Sequence, residues 1–66
     1  MKVAVLGTGF GAYHVELYAK MEDVEEIVVW GRKEEKRKEI KEKFHVEVTN
    51  DMEEIWSDSA INLVDI

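Results

Sequence analysis

The chain has 66 residues, with 9 Lys and Arg against 15 Asp and Glu for a net charge of −6, 45% hydrophobic residues, and neither Cys nor Pro. A chain of this length makes one domain and buries only ~60% of the surface its unfolded form exposes, so its core is small, and without Cys it has neither disulfides nor Cys-based zinc sites. The acidic balance argues against a general nucleic-acid surface, which needs clustered cations. No apolar run approaches the ~20 residues that cross a membrane. Lys2 leads straight into the first apolar run with no secretory leader, which points to a cytoplasmic protein. Charged residues make up 36% of the chain, chiefly Glu and Lys, a thermophile-like mix.

The period of the apolar pattern alternates between that of strands and that of helices. Residues 2–6 (Lys-Val-Ala-Val-Leu) are a short β-rich run stopped by Gly7. Phe10, His14, Leu17, Tyr18 and Met21 then recur on one helical face. Residues 26–30 (Glu-Ile-Val-Val-Trp) form a second strand, apolar on both faces as in a covered parallel sheet. Residues 33–44 are nearly all charged, with Ile40 and Phe44 as a narrow buried stripe, and read as a solvated helix braced by the i,i+4 pairs Glu34–Lys38 and Glu39–Lys43. Residues 46–48 predict a third strand. Asp51 and Glu54 make a capping box before a third helix whose inner face is Met52, Ile55 and Trp56. Residues 61–66 (Ile-Asn-Leu-Val-Asp-Ile) predict a fourth strand. The order β-α-β-α-β-α-β with short connections gives an α/β fold, half of a Rossmann fold, with a parallel sheet of order 3-2-1-4. A chain that stops in an apolar strand is expected to be a fragment of a longer protein.

Gly7-Thr8-Gly9-Phe10-Gly11-Ala12 fits G-x-G-x-x-(G/A), between the first strand and the first helix of a βαβ unit. Gly7 suits the tight turn, Gly9 lets a pyrophosphate approach the backbone, and Ala12 lets helix and strand pack closely; amides at the helix start would hold the anion. The bland alternative is a turn that needs glycine and binds nothing. NAD sites usually carry Asp or Glu about 20 residues further on, for the ribose hydroxyls. This chain has Trp30-Gly31-Arg32-Lys33 there. No carboxylate repels a 2′-phosphate, Gly31 leaves room for it, and Arg32 and Lys33 supply charge, so NADP is favoured over NAD. Cations at a helix start also oppose its macrodipole and so call for a reason.

The run Val-Ala-Val-Leu-Gly-Thr-Gly-Phe-Gly-Ala, the early His14, and the later Thr-Asn-Asp-Met-Glu-Glu-Ile and Asn-Leu-Val-Asp-Ile together resemble the N-terminal part of the Gfo/Idh/MocA oxidoreductases, the glucose-fructose oxidoreductase and inositol dehydrogenase family. The likeness covers the whole chain. It implies a cofactor-binding domain of an NAD(P)-dependent oxidoreductase, followed in the family by a substrate domain. Catalysis there depends on a lysine in a Glu-Lys-Pro motif and on residues of the second domain, none of which occur in this sequence. The chain alone is therefore expected to bind the pyrophosphate and adenosine end of the cofactor without turnover, and to contain no catalytic residue and no metal site. His14 stands one residue earlier than the family's G-x-G-x-x-G-x-x-H places it, so no role is carried over to it. Gly31 stands where many NAD-using members have Asp.

Several residues admit two readings. His14, on an apolar helical face, is a packed or capping residue or else an acid, base or cofactor ligand. Trp30 either flanks an adenine or belongs to the core. His45 reads as a loop or strand-start residue, Trp56 and Met52 as core, and Asp65 has no assigned role. Rival functions are a non-catalytic nucleotide-sensing Rossmann module and a methyltransferase-type fold, both of which usually keep an acid where Gly31 stands. The fourth strand, with Ile61, Leu63, Val64 and Ile66, would lie at the sheet edge opposite the third and is expected to pair with a second copy in a homodimer.

Overall fold

The computed structural model describes residues 1–9 and 11–66; Phe10, assigned above to the glycine turn and the buried helical face, lies outside the described residues. The elements follow the expected order: β1 (Lys2–Leu6), α1 (Gly11–Ala19), β2 (Glu26–Trp30), α2 (Glu34–Phe44), β3 (Glu47–Thr49), α3 (Met52–Trp56) and β4 (Ile61–Asp65). They build a four-stranded parallel sheet of order β3-β2-β1-β4. The chain is thus an α/β half Rossmann fold. Among the described residues no helix is long and apolar enough to cross a membrane.

Because side chains alternate along a strand, β1 and β2 feed two cores. Val3 and Val5 of β1 and Ile27 and Val29 of β2 face α1 and α2, where Val15 and Ile40 complete the cluster. Ala4 and Val28 face α3 and meet Ile55. Each fully buried Val contributes about 1.5–3 kcal/mol by leaving water, and Val3, Val5, Val15 and Val29 are the largest such side chains.

Four expectations need correction. Helix α1 is rotated from the predicted face: Ala12, Val15 and Tyr18, three apart, lie over the sheet, while Leu17 and Met21 are exposed. The small residues Ala12 and Val15 let the helix come close to β1, and Met21 falls beyond the helix end at Ala19. The third strand is Glu47–Thr49 rather than 46–48. His45 explains the shift, since it closes α2 in the left-handed region at φ 56°, with its N–H donating to the Lys41 carbonyl, so that extended pairing starts later. Trp56 is 58% exposed and not core. A helix of little more than one turn offers one narrow face, and Met52 and Ile55, three apart, occupy it. The capping box does not close: Asp51 accepts from the Glu53 N–H, but the Glu54 carboxylate turns to the Thr49 hydroxyl at 2.5 Å instead of back to the cap.

Lys2 ties the N-terminal ends of the strands together. Its ammonium lies 2.6 Å from Asp58, 3.6 Å from Glu26 and 3.8 Å from Glu47. The hydrogen bond to Asp58 raises the Lys2 pKa, and the same bond, helped by the Ala60 N–H, lowers that of Asp58. These groups occupy one end of the sheet and leave the other, carboxyl end of the strands for a ligand.

Candidate cofactor-binding site

The site grows from the exit of β1. Gly7 has φ +114°, a region that favours glycine, and its N–H donates to the Trp30 carbonyl at 2.8 Å, which ties the turn to the end of β2. A Cβ built on Gly7 or Gly9 would meet nothing within 4 Å among the described residues. Their bare backbone therefore opens outward, and a group approaching the turn can come as close as the main chain allows. Helix α1 starts at Gly11 with no acidic side chain in its first turn to compete for its free amides. Ala12 is half-buried against the core beneath the turn.

The end of β2 closes around Gly31. Its N–H donates to the Thr49 carbonyl at 3.0 Å and its own carbonyl accepts from Arg37 Nη1 at 2.9 Å. A Cβ here would come within 2.3 Å of Thr8 Cγ2. The space that the sequence reading left for a phosphate at Gly31 is therefore taken by the Thr8 methyl group, and the glycine serves first to let the two turns touch. Arg32 and Lys33 follow. Lys33 is the N-cap residue of α2 and the first turn carries Glu34 and Glu35, so the macrodipole is matched and the cations stand just outside the helix. The dipole argument made for them above does not hold, and their placement has to be argued from the cleft they line.

That cleft has a volume of about 390 Å³. The glycine turn (Gly7, Thr8, Gly9) forms one side, and Trp30, Gly31, Arg32, Lys33 and Lys36 form the other. Among the described residues no carboxylate lines it, in a chain of net charge −6. Arg32 stands 5.8 Å over the Trp30 ring, a cation–π contact that holds the guanidinium beside the cleft. The Trp30 indole N–H is buried and has no hydrogen-bond partner among the described residues, while the ring also packs on the α3 core. Trp30 is thus both part of the core and a wall of the cleft. Lys36 was missed from the sequence although it stands in the first turn of α2, three residues past the N-cap Lys33.

A roomier groove of about 640 Å³ runs along β3, lined among others by Lys41, His45, Glu47 and Glu54. Its charges are mixed and no glycine brings backbone into it, so it lacks the features an anion needs. Three or more metal-ligating side chains do not cluster anywhere among the described residues.

His14 and Asp65, left open above, are found together. His14 Nδ1 lies 3.0 Å from Asp65 Oδ2, and the Tyr18 hydroxyl donates to the same oxygen at 2.8 Å. That bond, with burial, raises the Tyr18 pKa. This cluster was not legible in the sequence because 47 residues separate Tyr18 from Asp65.

The comparisons agree with this geometry. The structure is similar to the crystal structure of biliverdin reductase from Synechocystis sp. PCC 6803 in complex with biliverdin and NADP+, with TM-score 0.83 and 23% identity over 96% of this chain and 20% of that one. The chain spans about a fifth of the length of that protein, and at this identity the likeness shows the fold. No curated protein matches the sequence. The sequence model of GFO_IDH_MocA, an oxidoreductase family with an NAD-binding Rossmann fold, matches residues 1–66. With that match over its full length, and with the glycine turn and the 3-2-1-4 sheet in place, the chain belongs to the Gfo/Idh/MocA oxidoreductase family as an NAD-binding Rossmann domain.

Proposed function

We propose that this chain is the cofactor-holding part of an NAD(P)-dependent oxidoreductase and that it selects NADP. The observation that carries the reading is a single cleft bringing the glycine turn together with three cations and no carboxylate. Gly7, Thr8, Gly9, Gly11 and the free amides of α1 are suited to the pyrophosphate, with Phe10 in the same turn and Ala12 packing beneath it. Arg32 would grip the 2′-phosphate with two parallel hydrogen bonds, and Lys33 and Lys36 add point charge. When bound, the nicotinamide supplies hydride chemistry. This chain's residues bind and orient the other end, so binding without turnover is its expected behaviour. Substrate binding would fall to a further domain, in keeping with the fifth of the structural neighbour's length that the chain matches.

The reading includes self-association. Among the described residues the outer edge of β4 pairs with no strand, and Leu63 on it is 40% exposed. A second copy could add its own β4 antiparallel across a two-fold axis.

Titration of 2′,5′-ADP and 5′-AMP against the chain and its Arg32→Ala variant tests the site. The 2′-phosphate should tighten binding to the wild type, and the variant should lose roughly 1.5–3 kcal/mol for 2′,5′-ADP alone, the range for charge-assisted hydrogen bonds. Equal affinity for the two nucleotides would remove the basis for the NADP assignment.

A further inference from the structure

Asp65 ends β4 at the same end of the sheet where Gly7 leaves β1, and its register partner on β1 is Val5. Paired residues of parallel strands face the same side. Val5 belongs to the core under α1, so Asp65 faces that helix too. Its side chain is only 20% exposed, and no Lys or Arg pairs with it among the described residues. A carboxylate so placed is costly unless it is hydrogen-bonded, and here the Tyr18 hydroxyl of α1 donates to it at 2.8 Å while His14 Nδ1, on the same helix, lies 3.0 Å from the same oxygen. His14 and Tyr18 are four apart, one above the other on α1. His14 is the fourth residue of a helix that starts at Gly11, directly after the glycine turn.

Elsewhere α1 rests on β1, β2 and α2 through apolar side chains such as Ala12 and Val15. Apolar packing sets which face of α1 is buried, but it is not itself directional. The Tyr18 hydrogen bond and the His14 contact, from successive turns onto one carboxylate oxygen, add a directional constraint at this end of the sheet. Nothing in the nucleotide reading uses this carboxylate. Yet it stands at the point between β1 and β4 where the chain reverses direction across the sheet and where ligands of such sheets bind.

We propose that Asp65 is a positioning residue: through His14 and Tyr18 it holds the start of α1, and with it the glycine turn, against the end of β4, so that the pyrophosphate site is formed before the nucleotide arrives. The inference rests on the nucleotide reading for its consequence but not for its geometry. Preorganisation of this kind raises affinity by lowering the ordering cost of binding.

The test compares the wild-type chain with Asp65→Ala, Asp65→Asn and the control Ile55→Val, which removes a core methylene on the opposite face of the sheet. Two quantities are measured: amide hydrogen exchange at Thr8, Gly9 and Gly11 without nucleotide, and affinity for NADP. Asp65→Ala should speed exchange at those amides on the order of tenfold and weaken NADP by a similar factor. Asp65→Asn, whose amide oxygen still accepts, should recover most of both, and Ile55→Val should leave both near wild type. If Asp65→Ala fails to fold, Tyr18→Phe, which deletes one donor, should show the same changes at smaller size. Wild-type exchange in Asp65→Ala or in Tyr18→Phe, or equal loosening in Ile55→Val, would overturn the proposal. A wild-type chain that binds no NADP while Asp65→Ala still loosens the turn would sink the nucleotide reading and leave the positioning role standing.

Discussion

Gly31 shows how one missing side chain can serve two ends. On sequence grounds its meaning lay in the acid it replaces. In the structure its Cα faces the Thr8 methyl so closely that any Cβ would displace it. Turn packing thus links two residues 23 positions apart, Thr8 and Gly31. Gly31→Asp alone should cost about 1–3 kcal/mol through overpacking, even as it supplies the carboxylate that a ribose diol prefers. Adding Thr8→Ala removes the Cγ2 atom and leaves an ordinary 3.6 Å contact at Cβ. The double variant should recover most of the lost stability in thermal melts and bind NAD more tightly than NADP in titrations; an unchanged preference for NADP would show that the β2 corner does not set the choice. At this scale the sequence was most legible where a residue type is restricted by backbone, as at Gly7, and least where partners are distant, as for Asp65. Trp56 misled because its size suggested core, whereas helix length decides how many side chains reach the sheet.

Among the elements, the strands were read nearly to the residue because their apolar runs are bounded by Gly7 and Gly31. Helix α1 was read with the wrong face and carried past its end at Ala19: its large apolar residues outnumber its buried ones, and the need for close approach at Ala12 overrode size. The connection from α3 to β4 depends on charge. Asp58 accepts from Lys2 at the far end of the sheet and from the Ala60 N–H in its own turn. Because its folded pKa is lowered, the stability it contributes is present above the ordinary carboxylate range and is lost as pH falls through the lowered value. The raised pKa of Lys2 works in the opposite sense: its contribution is complete below the ordinary lysine value and lost only as pH rises through the raised one. Thermal melts should therefore show a neutral plateau with an acid limb, and Asp58→Asn should flatten that limb while lowering the plateau. An acid limb unchanged by the substitution would assign it to other carboxylates.

For the whole molecule, alternation of period and right-handed crossovers were enough to predict a 3-2-1-4 sheet, since few other arrangements connect these elements without crossing. The edge was less transparent. β4 carries an irregularity at Asn62, where pairing with β1 shifts register and the Asn62 side chain accepts the Lys2 N–H at 2.9 Å. A bulge of this kind bends an edge and limits how far another strand can follow it, so a partner strand would have to pair beyond Asn62, around Leu63. Sedimentation equilibrium at micromolar concentration should show a dimer that Leu63→Lys converts to a folded monomer. A wild-type monomer would mean that the bulge is protection enough.

The central claim is that the cleft between the glycine turn and the β2 corner holds a dinucleotide and prefers the one with a 2′-phosphate. Calorimetric titration of NADP and NAD side by side into the wild-type chain tests it most directly. The account predicts saturable binding of both with NADP tighter, the difference shrinking as salt rises because charge carries it. Tighter binding of NAD, or no binding of either, would contradict it.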